Sequence, residues 1–240
     1  MSARVEKVST PDGTFDLTVW LPETGSGPGL LLIQEIYGVS DYITAVADDL
    51  AALGYVVAAP DLFWRLKPGH RSEHTEQGLK ESLELSSRFD PEQGVADAGA
   101  ALDHLAALPE VEGGLGVIGF CLGGTIAYFL AARVQLDAVV SFYGSGVPDQ
   151  VDVLAQISAP VQFHFGGSDP YIPRDQVARV EQAAHAADNA EIHVEEDAGH
   201  AFHNRKAPMF HQPEAAARAW RRTEDFLARH LPTRRKAPQP

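Results

Sequence analysis

The chain has 240 residues, of which 45% are hydrophobic and 22% are charged, a composition that favours one α/β domain with a large core. Its formal net charge of -14 argues against a protein that binds nucleic acid or an anionic membrane. A single cysteine excludes an internal disulfide, and residues 1–7 lack the apolar core of a signal peptide. We therefore expect a cytoplasmic protein without a membrane segment.

The first part of the chain predicts an antiparallel edge followed by buried strands. The strands expected here are Val5–Val8, Phe15–Leu21, Gly29–Ile33 and Tyr55–Ala59. The run at Gly29–Ile33 is continuously apolar, which is typical of a strand buried on both faces of a sheet. A helix that begins at Ser40 or Asp41 runs to Leu53.

An irregular stretch at Leu62–Gln77 separates this part from an alternation of helices and strands. The remaining helices are predicted at Leu79–Phe89, Pro91–Leu108, Thr125–Ala132, Arg174–Ala187 and Glu214–His230. The remaining strands are predicted at Leu115–Phe120, Leu136–Tyr143, Val161–Phe165 and Glu191–Glu195. This alternation predicts an α/β fold with a mostly parallel, doubly wound sheet and helices on both faces. Residues 1–231 are expected to form a single domain and residues 232–240 a flexible tail.

The only cysteine occupies the centre of a G-x-C-x-G turn, Gly119–Gly123, between an apolar strand and a helix. This is the nucleophile-elbow pattern with sulfur in the usual place of serine. A helix N-terminus offers free N–H groups and a dipole that stabilise a thiolate and an oxyanion. A lone cysteine is more often a small buried hydrophobe, but the flanking glycines and the strand-turn-helix context favour a nucleophile at Cys121.

Two further residues follow strands in the order that such a nucleophile requires. Asp169 comes just after Val161–Phe165, and His200 lies in the loop between the last strand and the last helix. Nucleophile, acid and histidine is the chain order of the α/β-hydrolase triad. Because active sites of parallel sheets gather at the carboxyl ends of strands, the three side chains are expected to meet.

Motifs along nearly the whole chain carry a resemblance to a known family. They are Gln34-Glu35-Ile36-Tyr37-Gly38, Ala59-Pro60-Asp61-Leu62-Phe63, Gly119-Phe120-Cys121-Leu122-Gly123-Gly124, Phe142-Tyr143-Gly144, Gly167-Ser168-Asp169-Pro170 and Gly199-His200-Ala201-Phe202. With these motifs the sequence resembles the dienelactone hydrolases, a family with the α/β-hydrolase fold. The resemblance implies a cofactor-free carboxymethylenebutenolidase-like hydrolase of small lactones or esters.

The resemblance also implies roles for individual residues. It implies a Cys121–His200–Asp169 triad, with Glu35 near the thiol, where the carboxylate helps to gate thiol ionisation. The backbone N–H groups of Ile36 and Leu122 would form the oxyanion hole.

Recognition of a substrate carboxylate is less defined by the sequence. The family's type enzyme uses two arginines, whose places fall near Leu79 and Asn204 here. Arg71 or Arg205 is then the candidate to bind a carboxylate, and Tyr37 is a further candidate for substrate contact. We expect a modest preference for a carboxylate-bearing lactone, with an esterase for neutral esters as the alternative.

Two other hypotheses for the function remain open at this point. Cys121 could be an oxidisable thiol in a non-catalytic or redox-sensing protein, although no second cysteine exists to resolve a sulfenic acid. A metal site could form from His200, His203 and His211, although their spacing lacks the helical pair of a zinc helix. The hydrolase interpretation requires no metal and no other cofactor, and predicts a monomer whose partner is its small-molecule substrate.

Overall fold

The computed structural model describes residues 3–233, in which eight strands form one sheet and six α-helices pack against both of its faces. The strands are β1 (Ala3–Thr10), β2 (Gly13–Trp20), β3 (Gly27–Ile33), β4 (Val56–Pro60), β5 (Val111–Phe120), β6 (Ala138–Phe142), β7 (Val161–Gly166) and β8 (Ala190–Glu195). The α-helices are α1 (Asp41–Ala52), α2 (Glu76–Ser86), α3 (Pro91–Ala106), α4 (Leu122–Ala131), α5 (Arg174–His185) and α6 (Pro213–His230). A 3₁₀ helix at Val151–Gln156 lies in a stretch for which the sequence predicts no regular element.

The strands lie in the order β1-β2-β4-β3-β5-β6-β7-β8 across the sheet. The first two pairings are antiparallel, and every pairing from β4 to β8 is parallel. This confirms the mostly parallel α/β sheet predicted from the alternation of elements. Leu30–Ile33 in β3 are fully buried, as expected of a strand that helices cover on both faces.

Several elements begin earlier than their sequence pattern predicts, and α2 and β5 are two of them. The helix α2 begins at Glu76 rather than Leu79, and the hydroxyl of Thr75 caps it by accepting the backbone N–H of Gly78 at 3.1 Å. The first turn of this helix is polar, so the apolar pattern that predicts the helix starts only at Leu79. The strand β5 likewise extends back to Val111, through a glycine-containing stretch with an irregular register against β3.

The carboxyl ends of β3, β5, β7 and β8 share one edge of the sheet, where the candidate catalytic residues follow them. Of the predicted flexible tail, residues 234–240 lie outside the described residues. Within residues 3–233, no helix is both long enough and apolar enough to cross a bilayer.

Candidate active site

Cys121 lies in a sharp turn, directly after β5 and at the N-terminus of α4. Its φ of 54° and ψ of -116° are strained for a residue with a side chain. A Cβ at Gly119 would lie 2.0 Å from the carbonyl oxygen of Gly123, and one at Gly123 would lie 2.3 Å from that of Ile33. Both positions therefore require glycine, and the local sequence itself produces the elbow.

His200 connects the thiol to a buried carboxylate. Its Nε2 lies 3.2 Å from Cys121 Sγ, and its Nδ1–H donates to Asp169 Oδ2 at 2.7 Å. Asp169 Oδ1 accepts the backbone N–H groups of Tyr171 at 2.8 Å and Ile172 at 3.2 Å. These two bonds fix the carboxylate with its second oxygen toward the imidazole. The structure thus brings together the three residues that the chain order suggests.

The charges around His200 decide its protonation. Burial lowers the pKa of His200, but the charge of the Cys121 thiolate and the hydrogen bond to Asp169 outweigh burial and raise the pKa to about 10. An imidazolium beside the sulfur therefore persists at neutral pH when the thiol is ionised.

Glu35 is buried just after β3, and two side chains from distant parts of the chain bind its carboxylate. His74 Nε2–H donates to Oε1 at 2.7 Å, and Asn204 Nδ2 donates to both oxygens at 3.0 and 3.1 Å. Glu35 and Cys121 line the same cavity, but the thiol is hydrogen-bonded to His200 rather than to Glu35. Neither His74 nor Asn204 is predicted from the sequence as a partner of Glu35. Their positions in irregular loops give no indication of this contact.

Backbone strain is concentrated at this site. Among the described residues, three that are not glycine have a positive φ: Cys121, Tyr143 at 38° and Ala201 at 54°. Ala201 follows His200 and lines the cavity, and the ring of Tyr143 lies 5.2 Å from that of His200. Strained backbone of this kind clusters where a fold holds functional groups in place.

A cavity of about 260 Å³ opens beside the thiol. It is lined by Glu35, Ile36, Tyr37, Leu79, Leu83, Ser86, Cys121, Leu122, Ser145, Tyr171, His200, Ala201 and Phe210. Leu79, Leu83 and Ser86 come from α2, and only Leu79 falls near a position that the family resemblance connects with substrate binding. Leu122 is the first residue of α4, so its backbone N–H has no acceptor within that helix.

Arg71 and Arg205, the candidates for a substrate carboxylate, are absent from the described lining of this cavity. The Arg71 guanidinium pairs with Asp41. The Arg205 guanidinium lies 2.5 Å from Asp49 Oδ2 and donates to the carbonyl oxygen of Ala45 at 3.0 Å. Both side chains therefore contact α1 and not the described lining of the cavity, and substrate binding by either of them stays a prediction.

The alternative metal site at His200, His203 and His211 does not have the geometry that a metal ion needs. Within residues 3–233, histidine, cysteine and acidic side chains form no cluster of three suited to a metal ion. His203 is hydrogen-bonded through Nδ1 to the hydroxyl of Tyr42 at 2.7 Å. Burial, with the charge of Arg205, lowers the pKa of His203 to about 3. This histidine is a neutral part of the core.

Comparison with known proteins relates the whole chain to one group. The sequence model described as the dienelactone hydrolase family matches residues 15–231. A carboxymethylenebutenolidase from a Pseudomonas strain is 34% identical over 221 residues, which cover 92% of each chain. Carboxymethylenebutenolidase 1 of Cupriavidus pinatubonensis is 32% identical over 229 residues, covering 95% of this chain and 97% of that one. A Klebsiella pneumoniae structure assigned to the dienelactone hydrolases superposes with a TM-score of 0.80 at 30% identity, covering 95% of this chain and 99% of that one.

Proposed function

The chain belongs to the dienelactone hydrolase family and is a hydrolase of ester or lactone bonds, and we propose that Cys121 is its nucleophile. The observation that carries this proposal is the chain of contacts from Cys121 Sγ through His200 to Asp169. A thiolate at a helix N-terminus beside an imidazolium is an activated nucleophile that needs no cofactor.

The reaction proceeds in two stages. The Cys121 thiolate attacks the acyl carbon, and the backbone N–H groups of Ile36 and Leu122 stabilise the oxyanion. As the carbon–oxygen bond breaks, the His200 Nε2 proton passes to the leaving oxygen, which leaves a thioester on Cys121. His200 then takes a proton from water as the water attacks the thioester, and the thiolate departs from the new acid. Asp169 holds the imidazole in the required tautomer throughout.

Trapping the acylated enzyme tests this proposal. An activated aryl ester that deacylates slowly should add the mass of one acyl group to the protein, in a form released by hydroxylamine. Because Cys121 is the only cysteine, a thioester can form at no other residue. Rapid quenching and intact-protein mass spectrometry make the measurement, and Cys121→Ala is the matched control. If Cys121→Ala turns over the ester steadily and forms the adduct in the same yield as the wild type, the thiol mechanism is contradicted.

Tyr37 is proposed to contact the substrate through its hydroxyl. The side chain is 3% exposed, lines the cavity, and its hydroxyl has no hydrogen-bond partner among residues 3–233. Burial, with the charges of Glu35 and Cys121, raises the pKa of Tyr37, so the hydroxyl keeps its proton. A buried donor without a partner is costly in the free protein and becomes satisfied if a substrate oxygen accepts from it.

Replacing Tyr37 with phenylalanine is expected to lower kcat/KM by about threefold to tenfold, the value of one neutral hydrogen bond. The Tm should stay unchanged or rise, because the hydroxyl removed has no partner in the free protein. Ester turnover and thermal unfolding of the same preparation separate the two effects. An unchanged kcat/KM would show that the hydroxyl does not touch the substrate.

A further inference from the structure

We propose that the cavity selects a neutral, apolar ester or lactone and discriminates against a substrate that carries a carboxylate. This inference rests on the proposed function, because it concerns the substrate that Cys121 attacks. It departs from the preference that the family resemblance suggests, and it follows from the charges and surfaces that surround the thiol.

Most of the residues that α2 contributes to the cavity are apolar. Leu79 and Leu83 lie one helical turn apart on α2, so their side chains cover the same face of the helix. Phe210 and Tyr171 line other parts of the cavity. A substrate with an alkyl or aryl group would bury apolar surface against these side chains, which favours its binding.

The approach to the cavity is apolar as well. Within the described chain, large hydrophobic side chains are rarely exposed, and three of the most exposed are Leu83 at 46%, Tyr171 at 54% and Met209 at 48%. Leu83 and Tyr171 line the cavity, and Met209 lines an adjoining depression with Tyr171 and His200. Exposed apolar side chains that gather around one opening mark a place where apolar ligands bind.

Apart from the His200 imidazolium, which is paired with the sulfur of Cys121, no cationic side chain lines the described part of the cavity. None of the described lining residues is lysine or arginine. One face of α1 carries Asp41, Ala45 and Asp49, which are spaced four residues apart. This face binds the guanidinium groups of Arg71 and Arg205, which come from loops outside the helix. Moving either arginine to the cavity would break an ion pair that it already makes.

The charges that the cavity does contain repel an anion. Glu35 places a carboxylate in its lining, and the Cys121 thiolate adds a second negative charge during catalysis. A proton on His74 is held against Glu35, and the proton on His200 is held against the sulfur. A substrate carboxylate would lose its hydration without gaining a cationic partner, in a protein whose net charge is -14.

The test compares two para-nitrophenyl esters that share their leaving group and differ at the far end of the acyl chain. The hexanoate ends in a methyl group and the hydrogen adipate in a carboxylate. We expect kcat/KM for the hexanoate to exceed that for the adipate by at least about tenfold, since the carboxylate must be desolvated without a partner. Equal values, or a preference for the adipate, would overturn the inference.

A positive charge placed on the apolar wall should reduce this selectivity. Leu79→Arg is expected to lower the hexanoate-to-adipate ratio by about tenfold, the strength of a charge-assisted hydrogen bond, while Leu79→Gln serves as the uncharged control. Leu83→Arg is a second variant, and it should fold readily because this side chain is already 46% exposed. If both arginine variants fold and keep the wild-type ratio, the charge of the cavity does not set selectivity.

The same assays distinguish this inference from the proposed function. Cys121→Ala should lose activity toward both esters whatever the ratio of the wild type. If Cys121→Ala loses both activities and the wild type prefers the adipate, only the inferred substrate class is overturned. Hydrolysis of the hexanoate by Cys121→Ala at the wild-type rate would instead remove the proposed function.

Discussion

Cys121→Ala should lose ester and lactone hydrolysis by roughly 10⁴-fold or more, because the residual oxyanion contacts cannot replace a covalent intermediate. The fold should survive the change. Alanine has no atom beyond Cβ, and the strained backbone at this turn is imposed by close packing around Gly119 and Gly123 rather than by the sulfur. kcat/KM for an aryl ester, with thermal unfolding as the check on folding, makes the measurement.

Cys121→Ser is the informative companion to this variant. It places an oxygen nucleophile at the elbow and removes the thiolate whose charge raises the pKa of His200. We expect intermediate activity with an alkaline limb displaced to lower pH. Wild-type rates in Cys121→Ala would assign the catalytic nucleophile to another residue.

Asp169→Asn should lower kcat by roughly 10³-fold, since an amide can donate to Nδ1 and so favour the wrong tautomer of His200. The side chain is fully buried but is replaced by one of nearly the same shape. The backbone N–H groups of Tyr171 and Ile172 can still donate to the amide oxygen, so the loop should keep its conformation.

The same variant should change the pH dependence in a defined direction. Asp169 contributes to raising the pKa of His200 to about 10, against the opposing effect of burial. Without the carboxylate the imidazolium loses its proton at a lower pH, so the alkaline limb of kcat/KM should move downward. The pH profile of the wild type and Asp169→Asn, measured with one aryl ester, makes this comparison. An unchanged alkaline limb would mean that the proton lost there is not on His200.

The sequence alone predicts the fold class and the chain order of the nucleophile, the acid and the histidine. Continuous apolar runs such as Gly29–Ile33 identify buried parallel strands, because both of their faces must be covered. The elbow could be predicted in detail because its geometry is local. Gly119 and Gly123 lie within two residues of Cys121, and their lack of a Cβ is what permits the turn. Asp169 and His200 could be placed because parallel strands bring their carboxyl ends to one edge.

The surroundings of these residues were decided by tertiary structure alone. His74 and Asn204 meet Glu35 across long stretches of chain, and no periodicity encodes a contact between irregular loops. Arg71 and Arg205 have the charge that a substrate carboxylate would need, but the path of each loop brings them to the acidic face of α1. Sequence by itself therefore determined the fold and the order of the reacting groups, since both depend on backbone sterics and the burial pattern of nearby residues. The charge and shape of the substrate cavity depend on which distant side chains the packed loops bring together, and only the folded chain determines that.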